Sequence, residues 1–172
     1  MAREFQKIVV MGLGYIGLPT ASMLATKGHQ VLGVDVNAQA VDTINSGRIH
    51  IVEPDLDILV RSAVNSGNLK ASLTPEEGDT FILAVPTPFK EVAGNPKAPD
   101  LAYEEAATRV IAPFLREDNL VILESTSPVG TTERVQEIIV SMRPELDGKI
   151  HTAHCPERVL PGQTLRELVD DD

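Results

Sequence analysis

Short β-branched runs alternate along the chain with longer segments in which apolar positions recur every three or four residues. The runs "KIVVMG", "QVLGVD", "TFILAVP" and "LVILEST" are apolar enough on both faces to predict buried strands, and "KIHTAH" reads as a further short strand. Between them, Gly17, Ala21, Leu24, Ala25 and Gly28 form a narrow small-residue stripe suited to a helix lying close to a sheet. Val41 with Ile44 marks a second helix, and Leu56, Leu59, Val60, Ala63 and Val64, following Pro54 as a first-turn residue, mark a third. Ala106, Val110, Ile111 and Phe114 predict a fourth despite Pro113, and Val135, Ile138, Ile139 and Met142 a fifth. Strands buried on both faces and joined by helices imply right-handed crossovers in a mainly parallel sheet, so the pattern predicts a doubly wound α/β domain. The stretch "PTPFKEVAGNPKAPD", with four prolines and a glycine, reads as an irregular functional loop covering a site. There is no internal repeat, and the final "LRELVDDD" starts a helical pattern that stops, which reads as a cut.

Composition narrows the function classes. A chain of 172 residues with 42% apolar content can bury a core as one ordinary domain. The formal charge of −10 sets most of the surface against a nucleic-acid backbone or an anionic membrane, so neither is expected as a partner. An anionic ligand then has to be held by local backbone dipoles or a few placed arginines. The single cysteine cannot form an internal disulfide, and neither a signal-peptide pattern nor a membrane-length apolar run is present. A reducing cytoplasm is the expected setting.

Candidate chemistry begins at "GLGYIGLP". In G-x-G-x-x-G between a strand and a helix, Gly12 permits the tight turn, Gly14 lets the backbone approach a pyrophosphate, and Gly17 lets the helix sit close to the sheet. The helix N-terminus, entered through Tyr15 and Ile16, then meets the diphosphate with N–H groups and a positive dipole end. Asp35 ends the next strand eighteen residues beyond Gly17, where a carboxylate accepts from a ribose diol and repels a 2′-phosphate. The expectation is therefore a Rossmann-type domain spanning 1–172 that binds NAD in preference to NADP, with a surface turn as the plain alternative for Asp35.

Ligands of such sheets sit outside the carboxyl ends of the strands. The turns "VPTP", "ESTSPVG" and "CPERVLPG" all fall there, so Pro86, Thr87, Ser125 and Thr126 become candidates for the nicotinamide end of the cofactor. Turn-forming and capping are the alternative roles for the hydroxyls.

Taken in order, "GLGYIGLP", "GVDVN", "EPDL", "AVPTPFK", "ESTSPVGTTE" and "CPERVLPG" resemble the N-terminal half of the UDP-sugar 6-dehydrogenase family, over nearly the whole chain. "PERVLPG" leans toward the family's N-acetyl-hexosamine branch. The resemblance implies a four-electron oxidation of the C6 alcohol of a UDP-sugar to a carboxylate, using two NAD, in the service of surface-polysaccharide synthesis. It also implies that the nucleophilic cysteine and a lysine lie in a second half, beyond a central helix, which this chain lacks. Thr126 and Glu157 match family positions that hold the hydrolytic water and assist proton transfer, while Arg158, Val159 and Leu160 match a loop that touches the UDP-sugar. Members acting on UDP-glucose carry a second glutamate where this chain has Pro161. The longer protein is expected to be a homodimer and this chain a monomer that binds NAD without turnover. Two other readings stay open: a stand-alone NAD-binding regulatory module, and a dehydrogenase for another UDP-hexose such as UDP-glucose or UDP-N-acetylglucosamine.

Cys155, beside His151 and His154, invites a reading as nucleophile or metal ligand. On a strand the two histidines point to opposite faces and no second ligand pair exists, so no metal is expected. Cys155 reads instead as a small packed residue at a strand end, and His29 and His50 as solvated loop residues.

Overall fold

The computed structural model describes residues 7–92 and 95–156. In chain order the elements are β1 (Lys7–Met11), α1 (Gly17–Thr26), β2 (Gln30–Val34), α2 (Ala38–Asn45), α3 (Leu56–Asn65), β3 (Leu69–Ser72) and β4 (Thr80–Leu83). There follow β5 (Phe89–Val92), β6 (Asn95–Pro99), α4 (Ala102–Ile111), β7 (Leu120–Leu123), α5 (Thr131–Met142) and β8 (His151–His154).

Six strands form one sheet in the order β3-β2-β1-β4-β7-β8, every neighbouring pair parallel. The order runs outward from β1 in one direction and from β4 in the other, so the crevice beyond their carboxyl ends is a topological switch point. Alternation along each strand divides the core. Ile8, Val10, Val31 and Ile82 pack with Ala21, Ile44 and Val60 of α1, α2 and α3. Val9, Met11, Phe81, Leu83 and Val121 pack with Ile111 and Ile139 of α4 and α5 on the other face. This is the predicted doubly wound Rossmann-type architecture, with a helical layer on each side of a sheet whose inner strands β2, β1 and β4 are buried on both faces, while the edge strand β8 is largely exposed.

Several local expectations need correction. β3 escaped the hydrophobic pattern because it is a four-residue edge strand, with Leu69 and Ala71 buried and Lys70 exposed between them. The "PTPFKEVAGNPKAPD" stretch is not irregular: β5 and β6 pair antiparallel, Phe89 opposite Pro99 and Lys90 opposite Ala98. A ribbon in which, among the described residues, each strand pairs on one side only tolerates the prolines that would break a central strand. Gly28 lies outside the packing stripe of α1; it ends the helix in a left-handed conformation (φ 97°), its N–H donating to the Ala25 carbonyl. Pro54 precedes α3, whose cap is Asp55 at φ 62°. The buried face of α4 is Glu104, Ala107, Thr108 and Ile111, whereas Ala106 and Val110 face outward. The phase was hidden because a glutamate occupies the core side. Met142, at the end of α5, is also exposed.

Candidate active site at the carboxyl edge of the sheet

The turn from β1 into α1 is shaped by positions that exclude a side chain. Gly12 has φ 91° and its N–H donates to the Val34 carbonyl at 2.8 Å, tying the turn to β2. A Cβ at Gly12 would stand 2.6 Å from the Ala84 carbonyl oxygen, and one at Gly17 only 1.8 Å from that of Gly12. At Gly14, by contrast, a Cβ would meet nothing within 4 Å. Two glycines thus serve backbone packing, while the third borders open space where a diphosphate can approach. Among the described residues no side chain caps the N-terminus of α1, which leaves its dipole end facing the approach of an anion. Gly33, the first residue of "GVDVN", makes room for the Leu13 side chain: a Cβ there would lie 2.6 Å from a Leu13 methyl.

Asp35, partly buried at the end of β2, bridges two turns. The Leu13 N–H donates to its Oδ2 and the Asn37 N–H to its Oδ1, each at 2.9 Å. Each carboxylate oxygen keeps a lone pair for a further donor, so the geometry remains compatible with a ribose diol. The Asn37 side chain in turn caps α2, accepting from the Gln39 and Ala40 N–H groups.

Across the switch point, a cavity of about 210 Å³ is lined by Ile16, Ala84, Thr87, Ser125 and Thr126. Four predicted site residues, from the turn into α1 and the turns after β4 and β7, therefore converge. Tyr15 and Pro86 are exposed and do not line it. The hydroxyls are anchored inward: Ser125 Oγ donates to the Val85 carbonyl at 2.7 Å, and Thr87 Oγ1 to Glu104 Oε1 at 2.7 Å. Beneath the cleft, Thr20 Oγ1 donates to Glu124 Oε1 at 2.8 Å. Burial pushes the Glu104 carboxyl above its usual range, opposed by the Thr87 hydrogen bond. Thr20, Glu104 and Glu124 are missing from the sequence-derived site. The available signal for Glu104 was its place in the i, i+3, i+4, i+7 series that ends at Ile111.

The Cys155 N–H extends the β8 ladder by donating to the Leu123 carbonyl at 2.9 Å. The residue sits at a strand end as expected, but it is exposed, not packed. His154 Nε2 lies 3.2 Å from the Ser125 carbonyl, and His151 is exposed. Among the described residues no group of His, Cys, Asp or Glu is arranged to hold a metal, and no helix is long and apolar enough to cross a membrane. Glu157, Arg158, Val159 and Leu160 lie outside the described residues.

Sheet order, glycine turn and carboxylate together define a dinucleotide-binding α/β domain. Residues 6–172 match the UDP-glucose/GDP-mannose dehydrogenase family, NAD binding domain, and the chain belongs to that family, with NAD as its cofactor. It is 56% identical to the NDP-N-acetyl-D-galactosaminuronic acid dehydrogenase of Ralstonia nicotianae. It is 55% and 53% identical to the UDP-N-acetyl-D-mannosamine dehydrogenases of Campylobacter jejuni and Escherichia coli K12. These alignments cover 98% of this chain but only 41%, 43% and 41% of the three relatives, so the chain spans about two fifths of their length. Among solved structures, the UDP-D-ManNAc dehydrogenase from Pyrococcus horikoshii superposes with a TM-score of 0.87 at 40% identity, over 94% of this chain and 38% of that one. The UDP-N-acetyl-mannosamine dehydrogenase from Staphylococcus aureus gives 0.85 at 43% identity, over 94% and 39%.

Proposed function

We propose that this chain is the NAD-binding part of a nucleotide-sugar dehydrogenase that oxidises the C6 alcohol of UDP-N-acetyl-D-mannosamine to the uronic acid. The observation that carries the reading is the cleft at the β1/β4 switch point, built on a chain more than half identical to relatives named for N-acetyl-hexosamine substrates. When bound, NAD supplies the hydride acceptor. The chain's own residues bind and orient it. The Gly12–Gly17 turn, with Tyr15 and Ile16, receives the diphosphate, Asp35 accepts from the adenosine ribose, and Pro86, Thr87, Ser125 and Thr126 border the nicotinamide end. Thr126 also holds the hydrolytic water, with Glu157 assisting proton transfer, and Arg158, Val159 and Leu160 reach the UDP-sugar. The thiol that traps the aldehyde belongs to the part of the protein that the relatives carry beyond this length, and Cys155 is not that thiol.

Hydride transfer requires substrate, base and nicotinamide held together, a positioning contribution that reaches roughly 7 to 11 kcal/mol. Spanning about two fifths of its relatives' length, the 172-residue chain is expected to bind NAD without turnover. The test is NADH formation from UDP-N-acetylmannosamine, UDP-N-acetylgalactosamine and UDP-glucose by this chain and by the whole protein. Turnover by the whole protein alone, fastest on the mannosamine and at two NADH per sugar, is expected. Preference for the galactosamine, the sugar type in the Ralstonia relative's name, would move the substrate within the N-acetyl-hexosamine class. No turnover of any UDP-sugar by the whole protein would contradict the reading and favour a regulatory NAD-binding module.

A further inference from the structure

The two hydroxyls whose hydrogen bonds lie behind the 210 Å³ cavity both spend their protons on the protein. Thr87 donates to Glu104 Oε1 at 2.7 Å, and Ser125 to the Val85 carbonyl at 2.7 Å. A hydroxyl has one proton and two lone pairs, so each oxygen is left able only to accept. The nearby Ala84 N–H is also committed, to the Met11 carbonyl at 2.8 Å. Glu104 is only 1% exposed although it carries a carboxyl group, and its Oε2 has no hydrogen-bond partner among the described residues. Keeping a carboxyl there costs stability that an apolar residue would not, which asks for a compensating role. Ionised, or with its proton on Oε2, Glu104 keeps Oε1 an acceptor and the Thr87 hydroxyl oriented.

We propose that Glu104 is a positioning residue for the cofactor: by taking the Thr87 hydroxyl proton from behind, it makes this corner of the cleft an obligate acceptor that selects a hydrogen-bond donor on the ligand. The inference rests on the reading of the cleft as the nicotinamide end of the NAD site. That end of a dinucleotide carries two kinds of donor, the carboxamide N–H₂ and the ribose hydroxyls.

Titration calorimetry on the 172-residue chain tests it with four ligands. They are NAD, its 3-acetylpyridine analogue, which replaces the amide N–H₂ by a methyl group, an analogue lacking the nicotinamide-ribose 2′-hydroxyl, and ADP-ribose, which lacks the ring. Wild type should prefer NAD over one of the two donor-less analogues by about three- to tenfold, and which one identifies the donor. Glu104→Leu should erase most of that preference, leaving ADP-ribose affinity within about twofold where the donor is the carboxamide and weakening ADP-ribose alongside NAD where it is the ribose hydroxyl, and Glu104→Gln, whose carbonyl still accepts from Thr87, should restore it. Thr87→Val should abolish the preference by itself, and adding Glu104→Leu to it should change nothing further. This keeps the test decisive even if Glu104→Leu alone folds poorly. Equal affinity for NAD and both analogues in wild type, a preference untouched by Glu104→Leu, or an equal further loss in the Thr87→Val background would overturn the inference while leaving the NAD site standing. Failure of wild type to bind either NAD or ADP-ribose would overturn both.

Discussion

On the β1 side of the cleft, shape follows from where a Cβ cannot go; on the β4 and β7 side, it follows from where hydroxyl protons go. Gly12 and Gly17 leave less than 3 Å between a hypothetical Cβ and a carbonyl oxygen, so that wall is fixed by backbone contact. Thr87 and Ser125 instead hang from polar partners behind the surface, one of them a buried carboxyl. The first wall suits a ligand part that every dinucleotide shares, the diphosphate, which asks only for approach and N–H groups. The second suits a part that must be told from others, because a donor or acceptor pattern discriminates where bare shape does not.

The sharpest way to break this contrast lies within the glycine wall itself. Gly17→Ala sets a methyl carbon 1.8 Å from the Gly12 oxygen, so a destabilisation on the order of 3 kcal/mol is expected in thermal or denaturant melts, with NAD affinity falling as the turn is forced open. Gly14→Ala puts the same methyl in open space. It should leave the melting curve within about 0.5 kcal/mol of wild type yet weaken NAD about tenfold, by occupying room the diphosphate needs. Unchanged NAD affinity in Gly14→Ala would show that the open space beside this glycine is not where the cofactor approaches.

Smaller effects separate two adjacent glutamates of α4. Glu104 is buried and its carboxyl is held above the usual range, chiefly by burial. Its folded form therefore binds a proton more readily than the unfolded chain, so it contributes stability below the ordinary carboxylate pKa that is lost as pH rises toward the raised folded value. Glu104→Gln should flatten that part of the stability-versus-pH curve, which urea melts from pH 4 upward would reveal. Glu105, one residue on, is held below the usual range by hydrogen bonds from Arg134 and Arg109. The sign reverses: its contribution is present above the ordinary carboxylate pKa and disappears as pH falls through the lowered folded value. Because these pairs are solvent-facing, Glu105→Gln should cost no more than about 1 kcal/mol at neutral pH, and less in high salt. A salt-independent loss of several kcal/mol would contradict the surface reading.

What could be read from residue order follows the same division. Features carried by backbone conformation and by apolar period were legible: the glycine turn, the switch-point edge, the strands apolar on both faces and the buried faces of α2 and α5 through Val41, Ile44, Val135 and Ile139. Asp35 stood out because its spacing is set by one strand–helix–strand unit. Features that depend on a polar side chain entering the core were not legible, since hydrophobic period counts Glu104 as outside and so turned α4 to the wrong phase. β3 was too short for its single apolar–polar alternation to register, and the β5/β6 ribbon was masked by prolines that only an unpaired outer edge tolerates. The exposure of Cys155 depends on what packs beyond β8, which strand-end position alone does not determine.

The central claim is that this edge of the sheet binds NAD with its adenosine ribose on Asp35, and titration calorimetry with NAD and NADP tests it most directly. The parent chain should bind NAD at least about tenfold more tightly than NADP, because a 2′-phosphate would meet the Asp35 carboxylate. Asp35→Ala should weaken NAD by about 1.5 to 3 kcal/mol and narrow the gap. Equal affinity of the parent chain for NAD and NADP would contradict the account.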